Sequence, residues 1–455
     1  MIHKFKQGDL HFVLDVNSGA VHVVDEIVFD VLEYYPKTSP INVVKNLMEK
    51  YPEDMIKETI DEIDALIEHE MLYTDDKYVN SIEFQNRSPV IKAMCLHIAH
   101  DCNIRCAYCF ASQGDFKGDR SLMSYEVGKQ ALDLLIQYSG NRRNLEVDFF
   151  GGEPLMNFEV VKKLVEYGRS LEPIHNKRFR FTLTTNGVLL NDEIIEYVNE
   201  NMENVVLSID GRRETNDKMR YTISGGGTYD IIVPKFKKLV DSRKGKSYYV
   251  RGTFTKYNKD FAKDVLHMAD LGFKSTSVEP VVAHPEDHYA LSEEDIDYIN
   301  SQYELLADEL INRKGTENEF NFFHFAIDMK QGPCVVKRLS GCGAGSEYLA
   351  ITPDGDIYPC HQFVGDEHFK MGNVMAGLLD FGLTNEFKNA HVYNKQKCRE
   401  CWARFYCSGG CHANAYNFNN DIYIPYDLGC ELEKKRIECS VYIYAKLNQE
   451  EVEND

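Results

Sequence analysis

No run in this chain of 455 residues stays apolar for long enough to cross a bilayer. The opening residues, Met1-Ile-His-Lys-Phe-Lys-Gln-Gly-Asp, also lack the apolar core of a secretion signal. A cytoplasmic protein with no membrane partner is the expectation. Basic residues are scarce: 51 Lys and Arg face 72 Asp and Glu, a formal net charge of -21. Phosphate backbones are gripped by clustered Lys and Arg, so the balance argues against nucleic acid as a partner. Cysteine is missing before Cys95, yet the chain holds 13, three of them between 102 and 109 and nine from Cys334 onward. Without a secretion signal, that usage points to thiolate chemistry in a reducing compartment rather than to disulfides, and its clustering predicts two separate metal-bearing regions. The length suffices for two or three domains, and 43% hydrophobic with 27% charged residues is ordinary globular composition.

The most informative stretch is Cys102-Asn-Ile-Arg-Cys106-Ala-Tyr-Cys109, which follows an apolar run, Ala93 to Ala99, that reads as a buried strand. Three thiolates at CxxxCxxC spacing can hold a [4Fe-4S] cube and leave its fourth iron without a protein ligand, free to bind a small molecule. The alternatives are a zinc knuckle or a ferredoxin-like carrier, but zinc sites favour paired CxxC units and ferredoxin runs use other spacings. At these residues the chain resembles the radical S-adenosylmethionine (SAM) superfamily. The resemblance implies that the open iron chelates the amino and carboxylate groups of SAM. It also implies reductive cleavage to a 5'-deoxyadenosyl radical, with Cys102, Cys106 and Cys109 catalytic and the segment of Tyr108 against the adenine.

Ahead of that loop, His11-Phe-Val-Leu-Asp-Val and Ala20-Val-His-Val-Val read as a β-hairpin joined through Asn17-Ser-Gly19. Helical patterns follow at Glu26 to Tyr35, after Ser39 with Pro40 at the first position, and at Pro52 to Glu70 with Ile56, Ile60, Ile63 and Leu66 on one stripe. A small sheet with three helices suggests a winged-helix-like module, and its 7 Lys against 17 Asp and Glu argue against DNA. It resembles the element of peptide maturases to which a leader segment adds as an edge strand. A packing domain without a ligand is the alternative.

From about 90 to 310 strand and helix alternate. Strands are predicted at 93–99, 145–151, 178–186, 204–210, 248–255 and 275–282, and helices near 124–138, 157–170, 191–200, 229–243 and 258–271. Six βα units imply an α/β fold with a parallel barrel-like sheet and functional groups at its C-terminal strand ends, a partial (β/α)6 TIM-like barrel in the family resembled. Gly151-Gly152-Glu153-Pro154 follows the second strand, where the resemblance has backbone and carboxylate holding the SAM ammonium. By the same resemblance Ser208 and Arg220 hold the SAM carboxylate, with Asp210 or Glu279 nearby. Caps, ion pairs and surface polarity are competing roles for Ser208, Asp210 and Arg220. Arg251 and Thr253 are pocket candidates or ordinary barrel positions, and Ser292 to Ile311 reads as a solvated bridging helix.

The second constellation is Cys342-x12-Gly355-x4-Cys360, a gap, Cys398-x2-Cys401-x5-Cys407-x3-Cys411, another gap and Cys430. Thr352-Pro-Asp-Gly355 reads as a turn in a hairpin that delivers Cys360. The pattern resembles the seven-cysteine SPASM domain of radical SAM enzymes that modify peptides and proteins. The resemblance assigns Cys398, Cys401, Cys407 and Cys430 to a closed distal cluster, and Cys342, Cys360 and Cys411 to one nearer the barrel, giving three [4Fe-4S] clusters in all. Cys334 either closes that nearer cluster or leaves it an iron for a substrate thiolate. Cys95 and Cys439 read as core residues, and His97 and His100 as strand histidines or site residues.

Taken together the chain resembles maturases of SCIFF (six cysteines in forty-five residues) peptides, with a peptide-recognition domain at 1–88, a radical SAM partial barrel at 89–312 and a SPASM domain at 313–455. That resemblance implies thioether formation. The deoxyadenosyl radical takes a hydrogen from the acceptor residue, and a substrate cysteine at the nearer cluster couples to the carbon radical. The partners implied are a cysteine-rich precursor peptide and an electron donor such as ferredoxin or flavodoxin. The alternatives are a sulfatase maturase or peptide epimerase and, from another class, a non-catalytic iron-sulfur carrier or zinc peptide-binding module.

Overall fold

The computed structural model describes residues 1–80, 89–329 and 335–453. Three strands open the chain, β1 (Ile2–Gln7), β2 (Leu10–Asp15) and β3 (Val21–Val24), in one antiparallel sheet of order β1-β2-β3. The hairpin is where the sequence put it. Strand β1 was not foreseen, because Lys4 and Lys6 hide the inward Phe5, which pairs with Phe12. Helices Glu26–Tyr34, Pro40–Leu47 and Glu53–Glu68 cover this sheet with Ile27, Val31, Val43, Ile56, Ile60 and Ile63. Ser39 stands at the N-cap of the second helix but makes no capping bond; Pro40 at the first position sets the start.

Next come β4 (Ala93–Ala99), a short β5 (Ile104–Cys106), β6 (Asn144–Gly151), β7 (Arg178–Thr185), β8 (Asn204–Ser208), a short β9 (Arg220–Thr222), β10 (Ser247–Phe254), β11 (Ser275–Pro280) and β12 (Asn321–Phe322). The C-terminal part adds β13 (Tyr348–Ile351), β14 (Asp356–Tyr358), β15 (Gly372–Asn373) and β16 (Leu378–Leu379). All but β5 and β9 form one sheet of order β12-β11-β10-β8-β7-β6-β4-β13-β14-β15-β16. From β12 to β13 every pairing is parallel, and the six expected βα strands lie side by side with apolar residues such as Leu96, Phe149, Phe181, Leu207 and Val250 in the core. The sheet stays open, with β12 and β16 at its edges.

Two features depart from the sequence reading. The hairpin β13-β14 adds to the barrel sheet itself, Ala350 opposite Cys95, so Cys360 is delivered beside the first barrel strand. Helix Ile296–Asn312, expected to be solvated, instead buries Ile299, Tyr303, Leu306 and Ala307 and packs along the long terminal helix Asp427–Glu453. Its acidic residues mask an apolar stripe at helical spacing, and the Arg436 Nε hydrogen bond to Tyr303 Oη, 3.0 Å, ties the two helices. Among the described residues no helix is long and apolar enough to cross a membrane.

Candidate functional site

After β4 the chain turns back as β5, which pairs with β9 so that Cys106 stands opposite Arg220. The Ala107 N–H adds a bond to the Met219 carbonyl, 2.8 Å. The thiols of Cys102, Cys106 and Cys109 line one cavity of about 480 Å³. Burial pushes Cys102 up to about 11 and Cys106 up to about 12. As free thiols these two are therefore neutral, and metal coordination would displace their protons. Asn186 Nδ2 donates to Cys102 Sγ at 3.6 Å, a partner no motif announced.

The glycines at the end of β6 exist for close approach. Gly151 has φ +120°, and a Cβ there would lie 2.4 Å from the Ala99 carbonyl oxygen; one on Gly152 would lie 2.2 Å from that of Asp101. Either would push β6 off the cluster loop. Both glycines face the cavity, while Glu153 lies fully buried behind them. Its carboxylate accepts from Leu155 N (3.0 Å), Thr185 Oγ1 (2.8 Å) and Asn186 N (2.8 Å), and burial pushes it up to about 7. These bonds tie the ends of β6 and β7 together.

Ser208, Asp210, Arg220, Arg251, Thr253 and Glu279, from four different strand ends, all line the same cavity. Tyr108 Oη donates to both Asp210 oxygens, at 2.8 and 2.7 Å, and Arg220 Nη1 donates to Tyr108 Oη at 3.1 Å. The Thr253 N–H also donates to Asp210, 3.0 Å. Burial pushes Asp210 up to about 6 against the pull of Arg220. Arg220, 7% exposed, keeps a buried Nε without a partner among the described residues, an unmet donor beside the cysteine loop that suits an anionic ligand. Glu279 is held below the usual carboxylate range despite its burial, with His324 at 3.5 Å, Arg251 at 3.8 Å and Arg436 at 3.9 Å.

The far wall of this cavity comes from the C-terminal part: His361, Gln362, Cys411, Asn414 and Asn417. Cys411 interacts electrostatically with Cys342 and Cys360, and both Cys342 and Cys411 are exposed. Cys398, Cys401, Cys407 and Cys430 line a separate cavity of about 650 Å³. Burial raises Cys398 and Cys407 and pushes Cys430 up to about 12. Cys334 lies outside the described residues. Among the described residues no three His, Cys, Asp or Glu group as a site for a single metal ion; Cys102, Cys106, Cys109 and Cys411 line one cavity and Cys398, Cys401, Cys407 and Cys430 the other. Thiols at these spacings, the loop's three on one cavity and four on the other, are the soft donors that fit iron-sulfur clusters.

Cys95 and Cys439 are fully buried, and Cys439 accepts from Gln7 Nε2 at 3.6 Å. His97 and His100 pair with each other at 3.0 Å beneath the loop and do not line the cavity. Burial pushes His100 down to about 4, so the pair is neutral packing. The far-wall residues went unnoticed in the sequence, although their signal was present: His361 and Gln362 directly follow Cys360, and Asn414 and Asn417 sit three and six residues beyond Cys411.

Residues 92–232 match the family model described as a 4Fe-4S single cluster domain, and residues 342–402 match the SPASM iron-sulfur cluster-binding domain. A cysteine-type anaerobic sulfatase-maturating enzyme from Clostridium novyi is 24% identical over 70% of this chain and 87% of its own length. The radical SAM cyclopropyl synthase TigE from Paramaledivibacter caminithermalis is 22% identical over 95% of this chain and 93% of its own. In fold the chain is similar to SuiB from Streptococcus suis, solved with S-adenosylmethionine and with its precursor peptide SuiA. Those structures are 16% identical, cover 94% of this chain and 98% of SuiB, and give TM-scores of 0.55 and 0.53.

Proposed function

We propose that this chain, a member of the radical SAM/SPASM family, forms thioether cross-links between cysteine sulfur and carbon in a cysteine-rich, ribosomally made peptide. One observation carries the reading: the cavity that holds Cys102, Cys106 and Cys109 also holds Cys411 and the residues after Cys360. A peptide in that space would meet the three loop thiols and Cys411 at once. When bound, SAM and a cluster at the loop supply hydrogen abstraction from carbon, and a cluster at Cys342, Cys360 and Cys411 supplies a thiolate site and an electron acceptor.

The chain's own residues do the rest. Arg220, with its unmet Nε, and Ser208 would hold the carboxylate of SAM, and the backbone of Gly151 and Gly152 would receive its ammonium. Glu153 keeps that segment in shape through its three hydrogen bonds. Tyr108 and Asp210 lock one another, so the loop and β8 keep their spacing. Phe150, Val281 and Val282 wall the cavity against water. Gln362, Asn414 and Asn417 offer amides to an extended peptide backbone, and the buried Asn414 Oδ1 has no hydrogen-bond partner among the described residues. The three-stranded N-terminal sheet leaves β3 as an edge on which a leader segment can pair. A ferredoxin- or flavodoxin-like donor starts each turnover.

A second reading, maturation of a sulfatase cysteine, is favoured by the Clostridium novyi relative, which this chain matches over most of that enzyme's length. The test is release of 5'-deoxyadenosine by anaerobically reconstituted, reduced protein beside a Cys102/Cys106/Cys109 triple-Ala variant, followed by mass analysis of a cysteine-rich peptide. Cross-linking removes one hydrogen from carbon and one from sulfur. Release that vanishes in the variant, with a peptide lighter by two hydrogens and lacking one free thiol, is the expected result. A peptide that gains an aldehyde, or keeps all its thiols, would overturn the thioether reading.

A further inference from the structure

Lys395 has no part in the function above, and its surroundings are unusual for a lysine. It is 0% exposed and stands three residues ahead of Cys398, at the N-cap of the short helix Gln396–Arg399. Its Nζ donates to the Gly409 carbonyl at 2.8 Å. Gly409 lies in the link between Cys407 of the four-thiol set and Cys411 of the three-thiol set. The strongest charges acting on Lys395 come from cysteine thiols rather than carboxylates: Cys398 and Cys407 from one set, then Cys411 and Cys342 from the other. Burial pushes its ammonium down, and these thiols would pull it back up once deprotonated.

An ammonium taken out of water is costly unless an anion compensates it, and one carbonyl does not. Neutral thiols do not either. Thiolates ligating clusters on both sides would, because each loaded cluster is an anion that gains further negative charge when reduced. We propose that Lys395 is the shared counter-ion of the two C-terminal clusters, a positioning residue that holds one positive charge between them and raises the reduction potential of both. This rests on the reading of the two thiol sets as cluster sites. In a low-dielectric interior a cation favours the more negative, reduced state of whatever it faces, so an electron left by carbon-sulfur bond formation is accepted at the open set and passed on.

The test uses full-length protein carrying the Cys102/Cys106/Cys109 triple-Ala background, so that only the C-terminal clusters give a signal. Lys395→Met, Lys395→Gln and Lys395→Arg are each reconstituted, counted for iron and titrated by EPR. Full iron with both midpoints shifted negative in Met and Gln, and parent values in Arg, is expected. The shift should be at least about tenfold in the reduced-to-oxidised ratio at fixed potential, which is 59 mV for one electron. Unmoved midpoints, or movement of only one, in fully loaded Met and Gln variants would overturn the assignment and leave the functional reading standing. If Met loses iron, Gln and Arg decide: loss in Gln with rescue by Arg supports a role for the charge, and parent iron and midpoints in Gln overturn it. A parent that takes up no iron at either C-terminal set overturns both readings together.

Discussion

The two C-terminal thiol sets share the stretch Cys398 to Cys411 yet open on different cavities. Cys342 and Cys411 are exposed, and Cys411 looks across the shared cavity toward the CxxxCxxC loop. Cys398 is 7% exposed, and its set lines a cavity of its own beneath Trp402 and the start of the terminal helix. Only three residues separate Cys407 from Cys411, so the chain changes from one environment to the other within a single turn. The lesson is that ligand count and access go together. On the proposed assignment, the place of Cys411 on the shared cavity would let its cluster take a fourth ligand from outside, whereas a cluster on the four thiols of the separate cavity would only exchange electrons.

The largest effects should separate the sets by what they do rather than by whether they bind iron. Cys411→Ala should reduce cross-linking to background while 5'-deoxyadenosine release persists, because the CxxxCxxC loop is untouched. Cys407→Ala should leave a first turnover measurable in a rapid-quench experiment and suppress later ones, since electrons no longer leave through the distal set. Equal loss of the first turnover in both variants would erase the functional distinction between open and closed sets.

Access itself gives the next prediction, smaller because it perturbs rather than removes a ligand. A small thiol such as 2-mercaptoethanol should alter the EPR signal of one C-terminal cluster and leave the other unchanged. The same response should appear in Cys334→Ala. If the thiol acts only in the Cys334→Ala variant, Cys334 is the missing fourth ligand and both sets are closed.

Some of this was plain in the sequence, and some could not be. The two cysteine-bearing regions were legible because ligand spacing within each motif is local, and the order of the six βα units was legible because buried parallel strands are short unbroken apolar runs. What remained hidden depends on partners distant in the chain. Strand β13 joins β4 across about 250 residues, a pairing that no local pattern encodes and that places the open set beside the loop. The acidic face of Ile296–Asn312 suggested solvent, although the stripe behind it was apolar. Lys395 looks like any charged residue between two elements until burial shows that it cannot be one. Ser208 and Arg220 had ordinary surface roles as their rivals, and only the cavity brings them to one place.

The smallest expected effect concerns how the closed set is covered. His3 of β1 stacks on Trp402 with ring centroids 3.7 Å apart and an interplanar angle of 2°, and its Nε2 lies 2.9 Å from Glu438. Trp402 sits between Cys401 and Cys407 and lines the distal cavity, so the N-terminal sheet is docked on the wall of the closed set. The Arg404 guanidinium adds bonds to Asn17 (2.6 Å) and Asp76 (3.2 Å), which means that removing His3 thins this contact without abolishing it. A stacked aromatic pair is worth about 0.5–1.5 kcal/mol beyond its buried area, so His3→Ala should lower the melting temperature by no more than ~2–4 °C. Oxygen should bleach the distal cluster faster in this variant, with the loop cluster unaffected. If His3→Ala instead exposes both C-terminal clusters to oxygen equally, Trp402 does not cover the closed set alone, and the separation between the two environments is narrower than the static cavities imply.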